Sequence, residues 1–222
     1  MSMKLLPVDG AWVDAMISLA NSPWTRQAVE RLFVDRGWIQ ADDAGTARVP
    51  WQTGGEVWPQ LDLPMASGPL PDDSDETGWR LDLGAPPPDE EADEVDRHSF
   101  VAFPFALLWP PLTTEEPDDE DDEDDEDDLQ EDYSAEWVRY PDAGPAEFEA
   151  EFHRVRALIE DRIGPPTRTV GDITIGWTRA IWDRGTMALT LSIEDDIATY
   201  SFYDHIALGI WPTAAAAGTE DT

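Results

Sequence analysis

The chain of 222 residues is long enough for one large domain or two small ones, and 49 Asp and Glu against 14 Lys and Arg give it a formal charge of −35. So negative a surface repels nucleic acid and anionic lipid and attracts cationic protein, and the absence of cysteine excludes disulfides, zinc–thiolate sites, iron–sulfur clusters and cysteine nucleophiles. A hydrophobic fraction of 41% with 11 tryptophans excludes a wholly disordered chain, and no run approaches the roughly 18 apolar residues of a membrane span.

The start MSMKLLPVDGAW lacks the long apolar run of a signal peptide, so the cytoplasm is the expected compartment. A first helix is predicted from about Gly10 to Ala20, with Asp9 as N-cap and Trp12, Met16 and Leu19 at helical spacing. Ser22 and Pro23 read as N-cap and first residue of a second helix, whose stripe is Ala28, Val29, Leu32 and Phe33 and whose end is Gly37. Four short strands follow: Arg48 to Trp51, Glu56 to Leu63, Trp79 to Leu83, and the alternating Val101, Phe103, Phe105, Leu107 and Trp109. The stretches Pro64 to Thr77, Gly84 to Asp96 and Thr113 to Asp132 are too polar and proline-rich to pack.

A third helix is predicted from Ala146 to Arg162, burying Phe148, Phe152, Val155 and Ile159, leaving Glu147, Glu151 and Arg154 to solvent, and stopping at Gly164-Pro165-Pro166. The period then changes to two. Ile173, Ile175 and Trp177 mark one strand, Met187, Leu189, Leu191 and Ile193 a second, and Ile197 to Tyr203 a third, with turns at Asp183-Arg184-Gly185 and Glu194-Asp195-Asp196. The expected class is α+β, with amphipathic helices packed on antiparallel meanders. It divides into an N-terminal half at 1–112, an acidic connector at 113–135, a C-terminal half at 136–213 and a flexible tail at 214–222, both halves forming one compact domain. An ungapped offset of 126 gives 7 identities over the 40 positions from Arg26 to Met65, pairing Gly45 with Gly171 and Trp51 with Trp177. A tandem duplication would place those two tryptophans in corresponding strands.

Little in the sequence carries catalysis. His98, His153 and His205 are far apart and in no metal-ligand spacing, so each reads as a surface or turn histidine, although Asp204 could orient the imidazole of His205. No GxSxG elbow, phosphate loop or EF-hand spacing is present, so neither a nucleophile, a cofactor nor a metal is expected. Binding is better represented. Trp12, Trp51, Trp109 and Trp177 fall on apolar phases and are expected in the core, whereas Trp58 and Trp182 are off phase or beside a turn and are the candidate partner-binding aromatics. The run Asp118, Asp119, Glu120, Asp121, Asp122, Glu123, Asp124, Asp125, Glu126, Asp127 and Asp128 reads as a solvated linker or as an electrostatic lure for a basic partner. With its flanking acids it holds 15 carboxylates; without them 34 acids against 14 bases still leave −20.

Ile163-Gly164-Pro165-Pro166-Thr167-Arg168, the strand to Trp177 and the strand Ala188 to Ile193 resemble an uncharacterised family of small bacterial α+β proteins, in which a helix ending in G-x-P-T-R precedes a strand with a tryptophan and a meander. A basic complement of 13 Arg and one Lys suits a high-GC bacterial genome. Such families are similar to the immunity proteins of polymorphic toxin systems. The resemblance implies a cytoplasmic, non-enzymatic protein that covers the active site of a cationic toxin such as a nuclease, without direct contact to nucleic acid or membrane. The alternatives are a chaperone or adaptor for a secreted protein, a DNA-mimic inhibitor, and an enzyme acting on a cationic substrate.

Overall fold

The computed structural model describes residues 1–42, 45–53, 60–63, 79–90, 94–109, 137–172, 177–195 and 204–216. It is an α+β fold: among the described residues, three helices lie on one side of a nine-stranded antiparallel sheet. Helix α1 (Gly10–Asn21) is capped by the Asp9 carboxylate, which accepts from Trp12 N at 3.0 Å. Helix α2 (Arg26–Asp35) starts later than Ser22-Pro23 suggests. The Ser22 backbone N–H donates to Leu19 O and its hydroxyl to Ser18 O, both closing α1, so the N-cap of α2 falls to Thr25. Gly37, at φ 72°, ends α2 as expected. Helix α3 (Pro145–Ile163) buries Phe148, Phe152, Val155 and Ile159. Its Glu151 is also buried, contrary to expectation, because Arg154 holds that carboxylate while donating to Val8 O at 2.8 Å.

The strands are β1 (Ser2–Leu5), β2 (Gln60–Leu63), β3 (Trp79–Leu83), β4 (Val101–Trp109), β5 (Val138–Tyr140), β6 (Arg168–Asp172), β7 (Trp177–Arg184), β8 (Met187–Asp195) and β9 (Asp204–Pro212). They run in the order β2-β3-β4-β9-β8-β7-β6, while β1 pairs with both β4 and β5. Each half therefore supplies a meander, and the two meanders join where their last strands, β4 and β9, pair antiparallel. One apolar cluster runs through both halves, from Val13, Met16 and Leu19 of α1 and Phe33 of α2 to Phe152 of α3 and Leu189, Leu191 and Leu208 of the sheet.

Several strand expectations change. Trp51 is buried, but it lies outside any strand and donates its indole N–H to Glu30 at 3.0 Å. Trp177 opens β7, so the two tryptophans do not occupy corresponding strands and the offset-126 alignment fails as a structural register. Within β4 the register shifts between Pro104 and Ala106, since proline lacks the N–H that a ladder position needs. The shift moves Ala106 and Leu108 onto the helix side and Leu107 out of that cluster, against the simple alternation. Glu194 and Asp195 extend β8 instead of turning, and β9 is the next described strand after it; Ile197 to Tyr203, like Ile173 and Ile175, lies outside the described residues.

Candidate functional site

Alternation along β8 sends Met187, Leu189, Leu191 and Ile193 to the helices and Ala188, Thr190, Ser192 and Glu194 to the opposite face, which no helix of the described residues covers. The register brings Arg179 and Ile181 of β7 and His205, Ala207, Gly209 and Trp211 of β9 onto that face. A methyl group at Gly209 would sit 2.4 Å from the Trp211 Nε1 and 2.8 Å from Thr190 Oγ1, so the missing side chain is what lets the indole lie across the strand. Phe100 stacks on Trp211 with centroids 4.0 Å apart, and the Arg179 guanidinium lies 5.9 Å from the same indole.

The polar seam of this face is built on Arg179. Its Nε donates to Glu194 Oε1 at 3.1 Å, a second guanidinium N–H reaches the same oxygen, and its third nitrogen donates to Ala216 O at 2.8 Å. Burial pushes the Glu194 carboxyl toward its neutral form. Arg179, His205 and the Ser192 hydroxyl outweigh that push and hold it below the usual glutamate range. Beyond the end of β9, Thr213 donates to Gly185 O at 2.8 Å and accepts from Arg168 at 2.9 Å. Ala216 is fully buried with Ile181 and Ala188. Of the stretch expected as a flexible tail, Ala216 packs on the sheet, where Arg179 holds its carbonyl and Arg168 that of Thr213 just before it.

The structure redistributes the expected site residues. Trp182, read as a partner-binding aromatic, is 1% exposed and donates its indole N–H to Gly164 O at 2.9 Å, capping the end of α3. Even-numbered residues of β7 face the helices, which places Trp182 in the core and Trp177 on the other side, 43% exposed. Expectation had the two reversed. Trp58 and the acids Asp118 to Asp128 lie outside the described residues.

The histidines stay apart. His98 accepts from its neighbour Arg97 on the surface, and His153 stands at the edge of Phe152. Asp204 and His205 are consecutive in β9 and therefore point to opposite faces, so the carboxylate across from His205 is that of Glu194 on β8. Among the described residues no group of three or more His, Asp and Glu could hold a metal ion, and no helix is long and apolar enough to cross a membrane. The Arg179–Glu194–His205 seam escaped sequence reading because it depends on cross-strand register, which one sequence does not encode in any spacing. Comparison with protein-family models, with curated proteins and with solved structures finds no match.

Proposed function

We propose that this protein is a non-enzymatic binding protein for a basic protein partner, and specifically an immunity protein that covers the substrate site of a cationic toxin such as a nuclease. The observation that carries this reading is how the cations are used. Arg26 pairs with Glu30, Arg154 with Glu151, Arg156 with Glu160, Arg162 with Asp14, Arg168 with Asp183 and Arg179 with Glu194. With those arginines engaged internally, the surplus of 49 acids over 14 bases is left to set the outward field. Such a field complements the basic cleft that a phosphate-binding enzyme requires, and it raises association rate and fixes orientation.

The test uses the product of the adjacent reading frame. Expressed alone it should arrest growth, and co-expression with this chain should restore growth and yield a complex of the two proteins. Replacing the acids Asp118 to Asp128 with Ser and Gly should slow association mainly at low salt, with dissociation nearly unchanged. A neighbour that neither arrests growth nor forms a complex overturns the immunity reading.

A further inference from the structure

Among the described residues Trp177 is the exposed indole, whereas Trp24, Trp38, Trp51 and Trp182 are buried. One of its faces is pinned. Gly171 has φ 73°, and a Cβ there would lie 2.5 Å from Trp177 Cε3, so the six-membered ring rests directly on the glycine backbone of the neighbouring strand. Gly171→Ala would be strained in conformation and would also collide with the ring. The indole is therefore held in place before any partner arrives, and its outward surface remains open.

Its surroundings select the occupant. Asp172 is the register partner of Trp177 on β6. On the other side, Thr178 pairs with Ile193, so the next position outward on β8 from that pair is Glu194. Against burial, which favours the neutral acid, Arg179, His205 and the Ser192 hydroxyl hold the Glu194 carboxyl below the usual glutamate range. Arg179, on the same face of β7, leaves Trp177 to others, since it lies over Trp211 and is tied to Glu194 and the Ala216 carbonyl. An electron-rich ring face with the Glu194 carboxylate on the neighbouring strand, in a chain of charge −35, suits an organic cation.

We infer that Trp177, with Glu194 beside it, seats a guanidinium or ammonium group from the basic partner. This rests on the basic-partner reading above and assigns it a point of contact on the folded sheet, distinct from the acidic run. The full chain is grown on fluorotryptophan, and the Trp177 fluorine resonance is identified as the line missing from Trp177→Phe. At physiological salt, an alternating Arg-Gly peptide should move that line saturably, and the matching citrulline-Gly peptide should leave it in place. A Lys-Gly peptide separates guanidinium from ammonium preference. For the purified basic partner, Trp177→Ala should weaken affinity about two- to fivefold, the size of one exposed cation–π contact, and Trp177→Phe should restore part of the loss. Glu194→Gln should weaken it in the same direction.

A Trp177 line unmoved by the Arg-Gly peptide overturns the inference. So does a partner complex whose affinity is the same in wild type and Trp177→Ala, an outcome that leaves the basic-partner reading standing. Absence of any complex with the adjacent product falls on the proposed function instead. Because Trp177 is exposed, an unchanged melting temperature in the Ala variant confirms that the comparison is between folded proteins.

Discussion

The two faces of the sheet are built on different principles. The helix-covered face is mainly apolar: Leu189, Leu191 and Ile193 of β8 meet Met16 and Leu19 of α1 and Phe152 of α3 in one cluster. The opposite face buries Ala188, Thr190 and Ser192 of the same strand under Trp211, an arginine–glutamate pair and the turn after β9. One face is stabilised by area removed from water, the other by mutually satisfied polar groups laid over small residues. Cavities will therefore dominate damage to the first, and steric or charge changes damage to the second.

The largest effects belong to the helix-covered face. Phe152→Ala and Trp182→Ala should each cost about 3–5 kcal/mol in urea unfolding, because both side chains are at most 2% exposed. Loss of Trp182 also removes the donor to Gly164 O at the end of α3. Gly209→Val attacks the other face: its side chain enters the space of Trp211 and Thr190, and a loss of about 1–3 kcal/mol is expected. Retention of wild-type stability there would mean that Trp211 moves aside freely.

Glu194→Gln sharpens the electrostatic half of the comparison. The native pKa of Glu194 lies below its unfolded value, so its contribution is present above the ordinary glutamate pKa of about 4.3 and is lost as pH falls through the depressed native value. The variant should lose about 1 kcal/mol at neutral pH, discounted for a side chain that is 33% exposed, and should show a shallower acid limb than wild type. Parallel acid limbs would remove Glu194 from the pH dependence. Trp177→Ala is the smallest expected effect, within about 0.5 kcal/mol, and sets the contrast with Trp182 five residues along the same strand.

The sequence carried local order well and long-range order poorly. The stripe Phe148, Phe152, Val155 and Ile159 and the stop at Gly164 are read from spacing within one helix, and all four apolar residues are buried. The bounds of β3 and β4 follow from runs of alternation. The phase of β7 does not, because apolar residues at 177, 180, 181 and 182 satisfy neither face cleanly, and Trp182 and Trp177 exchange roles as a result. Leu107 left the helix side through a register shift beside Pro104 that alternation alone cannot signal. Glu151 was read by its charge, whereas its burial depends on an arginine one turn away and a carbonyl at Val8.

The β4–β9 seam also makes the chain divisible. Val101 meets Ile210 and Leu108 meets Asp204 across it, while β1 from the start of the chain pairs with β5 from beyond the connector. A cut within 113–135 yields a piece carrying α1, α2 and β1 to β4 and a piece carrying α3 and β5 to β9. Each ends in an inner strand with one edge stripped of its partner and exposes its share of a common core, so neither piece is expected to fold alone. Mixed, the two should re-form the sheet as a complementing pair. That makes the protein a natural split reporter, in which regained structure measures how often two tethered pieces meet.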